Sequence, residues 1–236
     1  MVKYSANGSN AIGQTGRVNT ARRRWVRRTG VVLLALGLVM LAWVAWQYWG
    51  TTWQSQQRHD QITGQLEENW RSGDTAARVD EGVATAVVRI PAFGPDYAVP
   101  LLEGTSDETL AAGFGHFEET SDPGQVGNFA IAGHRVTHGE PLADMPSLEV
   151  GDLVIIDTAT RTFTYALDTG GDDLTVNFDE TWVLDPLPKN PDAGGAQPEQ
   201  RAGQRLLTLT TCAELFHTDE RLVAFGHLIS SAPRTQ

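Results

Sequence analysis

Residues 30–50, GVVLLALGLVMLAWVAWQYWG, form an apolar run broken by one strongly polar side chain, Gln47. As a helix rising about 1.5 Å per residue, the run measures roughly 30 Å, the thickness of a bilayer's hydrocarbon core. Trp43, Trp46, Trp49 and Trp53 gather at its C-terminal border, and Trp25 precedes its N-terminal one. These are the depths at which indole rings meet lipid headgroups. A cleaved signal peptide has a shorter apolar region that closes on small residues. This run closes on aromatic bulk, so it reads as an uncleaved transmembrane helix. Lys3, Arg17, Arg22, Arg23, Arg24, Arg27 and Arg28 all precede it, with no acidic residue before Gly50. Basic flanks stay in the cytoplasm. The expectation is a cytoplasmic, disordered basic tail over 1–29, a single pass through the cell membrane, and everything after Thr51 outside.

Removing those seven basic residues leaves 11 of the 18, set against all 29 acidic ones. A domain that acidic is unsuited to nucleic acid, whose phosphates need Lys and Arg partners. The chain holds one cysteine, Cys212, so an exported domain has no internal disulfide. Cys212 is then a buried small apolar residue, an intermolecular partner or a reactive thiol.

Residues 51–82 carry few apolar side chains and no proline, and read as a polar extracellular stalk, either loose or helical. If helical, the stalk reaches roughly 48 Å. From residue 83 the texture changes. Short β-rich runs at 85–90, 128–132, 153–157, 162–167, 174–178, 182–184, 205–211 and 221–228 are separated by Gly, Pro, Asp and Asn. That spacing argues an all-β sandwich or barrel over 83–236. Residues 187–204 have the composition of a surface loop, and residues 230–236 that of a frayed end.

Cys212 closes the alternating run Arg205-Leu-Leu-Thr-Leu-Thr-Thr-Cys212, at a strand end where a side chain can leave the sheet and meet solvent. Arg221 opens the next such run nine residues later, near enough in chain to return beside Cys212. A cation there stabilises a thiolate or a developing oxyanion. A cysteine nucleophile also needs a proton shuttle, usually histidine. Of six histidines, His59 lies in the stalk, His116 in a Gly-rich turn, His138 in a turn and His217 in the loop after Cys212. His227 sits within the last strand, as a core histidine would. His134 ends Asn128-Phe-Ala-Ile-Ala-Gly-His134 and so shares the strand-end placement of Cys212. The residues alone leave that choice open.

Three segments together resemble the sortase family, most closely its class E members from Gram-positive bacteria. The first is RIPAFG followed by PLLEGTSDETLAAGFGHFEETSDPGQVGNFAIAGHR. It is similar to the family's opening strand, Gly-His turn, Pro-Gly-x-x-Gly-Asn turn and Gly-His-Arg motif. The second runs from His134-Arg-x-Thr-x-Gly139 through Leu148-x-x-Gly-Asp152. The third is Thr208-Leu-Thr-Thr-Cys212 with Arg221 downstream. The likeness covers about residues 84–229. It implies an eight-stranded β-barrel with short helices, on which His134, Cys212 and Arg221 form the catalytic set and Thr211 flanks the substrate groove. Phe117 stands where relatives commonly have Tyr. The implied reaction cleaves the Thr–Gly bond of an LPxTG or LAxTG sorting signal through a Cys acyl-enzyme. The protein is then transferred to a peptidoglycan amine. No metal or organic cofactor is implied. The partners are sorting-signal proteins, wall-peptide amines and membrane lipid. Two other readings use the same residues: a cysteine endopeptidase with water as acceptor, and a non-catalytic anchored barrel with Cys212 buried.

Overall fold

The β-branched and aromatic runs of the second half become strands whose alternate side chains share one interior. The computed structural model describes residues 20–45, 51–136, 139–211 and 219–234, without side chains for 20–23, 44, 45 and 51–53. It divides into two compact units, Met1–Ala45 and Trp46–Gln236.

The first unit contains α1 (Thr20–Ala45). Within it, Arg24–Trp43 is long and apolar enough to cross a membrane. Its large apolar side chains are exposed on all sides, from Val31 to Trp43.

The second unit opens with α2 (Thr51–Ser72), followed by β1 (Ala77–Val79), β2 (Gly82–Arg89) and β3 (Val99–Glu103). Next come α3 (Asp107–Ala112), β4 (Phe114–His116), β5 (Gly127–Gly133), β6 (Leu153–Thr158), β7 (Arg161–Leu167) and β8 (Thr175–Asn177). The chain ends with β9 (Arg205–Thr211) and β10 (Glu220–Pro233). The ladder runs β2-β3-β4-β5-β9-β10-β7-β6, and β6 pairs back onto β2. Eight strands therefore close into a barrel, which leaves no open edge within the ring. β1 adds to β2 and β8 to β10 outside it. The β3–β4 and β5–β9 pairs are parallel. Phe114, Phe129, Ile131, Ile156, Tyr165, Leu207 and Leu209 fill the interior, all buried. Each is worth about 1.5–3 kcal/mol relative to exposure.

Four expectations from the sequence need correction. Residues 182–184 are not a strand but part of a 3-10 turn (Thr181–Leu184). Its Val183 carbonyl accepts from the Asn128 amide and the Thr208 hydroxyl, which fixes it by side chains instead of a ladder. The end is not frayed from residue 230: β10 continues to Pro233, pairing Ser230–Pro233 with residues 161–164 of β7. β1, β3 and β4 were not read from the sequence; three to five residues are too few to establish a period of two. Finally, α2 is more than a polar spacer. Ser55, His59, Ile62, Leu66 and Trp70 recur at helical spacing and are buried. Ile62, Leu66 and Trp70 pack on Ala77, Ala84, Val87, Leu102 and Ala112. Residues 187–204 contain no regular element, as their composition indicates.

Candidate active site

β5 and β9 run side by side in the same direction, so both leave the sheet at the same end of the barrel. Their register pairs Gly133 with Thr211. His134 follows Gly133 directly, and Thr211 is the last residue of its strand. β10 returns antiparallel to β9, with Val223 opposite Thr210, and Arg221 lies two residues before Val223. His134, Thr211 and Arg221 all line one groove of about 530 Å³. Cys212, His138 and His217 lie outside the described residues.

The groove walls come from elements distant in sequence. They include Leu110 of α3, Phe117, Val176 of β8, Phe178 directly after that strand, and Val183 and Leu184 of the 3-10 turn. Phe117 contributes an aromatic ring without a hydroxyl. Asn128 of β5 and Thr208 of β9 hold the 3-10 turn against these two strands. The Thr208 hydroxyl donates to Asn128 Oδ1 at 2.8 Å, while the Asn128 amide donates to the carbonyls of Val183 and Asp185.

Threonine hydroxyls tie the ends of β9 and β10 together. The Leu222 N–H donates to Thr211 Oγ1, and the Thr210 hydroxyl donates to the Leu222 carbonyl, both at 3.2 Å. Thr211, expected to flank the groove, is thus buried beside it and engaged with Arg221's neighbour. Arg221 Nη1 donates to the Glu220 carbonyl at 2.9 Å. Its guanidinium carbon stands 5.2 Å from the centre of the Phe178 ring, within cation–π range. An imidazole and a guanidinium on one groove can move a proton and hold a developing negative charge.

The other described histidines serve the fold. His116 is buried and its Nδ1 meets Glu103 Oε2 at 2.8 Å. Burial pulls its pKa down, but the hydrogen bond and charge of Glu103 outweigh that and leave it raised. His227, placed in the core by its position in a strand, is exposed instead and pairs with Asp168 at 2.7 Å. His59, placed on the stalk, is buried, and burial depresses its pKa to about 4. Among the described residues no group of three or more His, Cys, Asp or Glu is arranged to hold a metal ion.

Comparison with known proteins agrees with this architecture. Residues 88–229 match the sortase domain model. Sortase SrtE1 of Streptomyces coelicolor is 32% identical over 219 residues, covering 89% of this chain and 59% of that relative's length. Sortase SrtE2 of the same organism is 27% identical, covering 85% of this chain and 80% of its own length. Among solved structures, sortase E of Streptomyces avermitilis is 39% identical, with a TM-score of 0.56 over 66% of this chain and 93% of that one. Sortase E1 of S. coelicolor, solved with a tripeptide in the active site, is 31% identical with a TM-score of 0.54 over 67% and 94%. The chain belongs to the sortase family, a family of cysteine transpeptidases, and the relatives just named are sortases E.

Proposed function

We propose that this chain is a membrane-anchored transpeptidase with Cys212 as nucleophile, His134 as proton shuttle and Arg221 as oxyanion partner. The observation that carries the reading is the register of the strands. In the β5–β9 ladder each residue pairs with the one 78 positions later, ending with Gly133 and Thr211; His134 and Cys212 are the residues that follow these two in the sequence. In the β9–β10 ladder Val223 pairs with Thr210, and the Leu222 N–H donates to Thr211 Oγ1, which brings the residue after Arg221 to the end of β9. Cys212 directly follows Thr211 in the sequence, and Thr211 lines the groove together with His134 and Arg221.

The chemistry follows from those groups. The Cys212 thiolate attacks the Thr–Gly carbonyl of an LPxTG- or LAxTG-type sorting signal, forming the S–C bond. Arg221 stabilises the oxyanion. As the tetrahedral adduct collapses and the C–N bond breaks, His134 donates a proton to the leaving amine. A wall-peptide amine then attacks the thioester, His134 takes its proton, and the thiolate leaves. Arg24–Trp43 anchors the enzyme with its N-terminus in the cytoplasm, and the barrel works outside on sorting-signal proteins and peptidoglycan amines. The tripeptide in the active site of the S. coelicolor relative supports a peptide substrate. The test is mass spectrometry of products from an LAxTG peptide and an LPxTG peptide, each with and without a wall-type amine. A transpeptidase diverts the acyl fragment to the amine. Hydrolysed peptide alone at saturating amine would make the chain an endopeptidase, and unchanged peptide would contradict the reading.

A further inference from the structure

Glu140 is the one non-glycine with left-handed φ among the described residues, at 51°, and Gly139 before it has φ 80°. Left-handed backbone at a residue with a Cβ is costly and persists where its surroundings enforce it. Two neighbours act on this segment. On one side is α2: a Cβ at Gly139 would lie 2.8 Å from His59 Cε1 and 3.1 Å from Ser55 Cβ. Both His59 and Ser55 are buried, 5% and 8% exposed. On the other side the Tyr97 hydroxyl donates to the Pro141 carbonyl at 2.6 Å. Next in the chain, the Leu142 N–H donates to the carbonyl of His134 itself at 2.9 Å, with the Leu142 side chain fully buried. The stretch held by α2 and Tyr97 is therefore bonded directly to the backbone of His134.

His59 Nε2 is buried with no hydrogen-bond partner among the described residues. An unsatisfied buried nitrogen is unfavourable, and the His59 atom that comes nearest Gly139 is the ring carbon Cε1.

We propose that Ser55 and His59 of α2, with Tyr97 opposite, are positioning residues for His134, holding the 139–142 backbone so that its imidazole faces the groove. This rests on the assignment of His134 as the proton shuttle. It makes α2, the first helix of the second unit, a working part of the active site.

The test uses the full-length chain in detergent, an LAxTG peptide and a wall-type amine, assayed well below the melting temperature of every variant. His59→Ala removes the ring against Gly139 and is expected to lower kcat about tenfold with KM nearly unchanged, because small misplacements of a catalytic group are costly. His59→Phe keeps the ring and is expected to restore turnover. Tyr97→Phe, which loses only the bond to Pro141, is expected to lower kcat severalfold, and it decides the matter if His59→Ala does not fold. Ile156→Val, in the barrel core, is the stability control, expected to melt earlier with kcat intact. Full kcat in both His59→Ala and Tyr97→Phe overturns the proposal, as does a His59→Phe variant as slow as His59→Ala. His134→Ala separates the two levels: activity in that variant sinks the assignment of His134 itself. An inactive His134→Ala beside full-speed His59→Ala and Tyr97→Phe variants sinks only the positioning role.

Discussion

The consecutive helices α1 and α2 put apolar residues to opposite uses. α1 is rich in them, and Val31, Leu36 and Leu41 are exposed at 61%, 60% and 67%, as suits a helix whose solvent is lipid. α2 has few, yet Ile62 and Leu66 are fully buried. The difference is one of spacing. A single stripe at i, i+4 and i+8 is enough to dock a polar helix on a barrel, whereas an all-round apolar surface needs a surrounding apolar phase. Quantity of hydrophobic sequence therefore marks the helix apolar enough to cross a membrane, and its period marks membership of the folded domain.

The strongest way to break that comparison is to cut the chain. A protein beginning at residue 83 loses α2 and bares Ala77's strand partner Ala84 together with Val87 and Leu102. It is expected to aggregate or melt far below a protein beginning at residue 51, as measured by solubility and thermal unfolding. Equal melting temperatures would return α2 to the status of a spacer. A point substitution is the next sharpest test. Leu66→Ala should destabilise the domain by about 2–5 kcal/mol, while Leu41→Ala in α1 should leave its denaturant midpoint unchanged.

Acidity tests the same docked face through His59. Its pKa falls from 6.5 to about 4 because burial disfavours the charged ring. The unfolded chain therefore takes up this proton first, and stability present above pH 6.5 is lost as pH falls toward 4. The full shift corresponds to about 3 kcal/mol. His59→Phe should flatten that part of the pH–stability curve. The buried pair His116–Glu103 acts with the opposite sign at its alkaline side. The raised His116 pKa gives stability that is present below 6.5 and lost as pH rises through the folded value. Glu103 is lowered, first by the hydrogen bond from His116, so its contribution is lost as pH falls below the ordinary 4.5. His116→Gln should remove the loss above pH 6.5 but not the loss attributed to His59. The smallest effect is expected at the groove rim. Phe178 is 71% exposed, so Phe178→Ala should spare the fold. It should lower turnover about two- to fivefold by releasing Arg221 from a contact worth about 0.5–1 kcal/mol. Phe178→Tyr should be near normal.

Much of this was legible in the residues. Alternation in 205–211 and in 221–228 marked β9 and β10, and the run 128–134 placed His134 at the end of β5. The closed eight-stranded ring was implied by the family resemblance and is what the strands form. Periodicity alone left a sandwich equally open, because closure depends on the pairing of β2 with β6 across some 70 residues. The groove walls were hidden for a similar reason: Trp182–Leu184 have strand composition but are captured by Asn128 and Thr208. α2's role was obscured by averaging over its polar residues, though the stripe Ile62-x-x-x-Leu66-x-x-x-Trp70 carried the signal. His227 and His59 exchanged their expected environments because facing, and not local sequence, sets burial.

The central claim is that Cys212 carries the acyl group at the groove lined by His134 and Arg221. Its most direct test is the turnover of Cys212→Ala on an LAxTG peptide with a wall-type amine, read with its melting temperature. The account predicts a folded protein, no acyl-enzyme mass and no amide product. A folded Cys212→Ala protein that still forms the amide would contradict it.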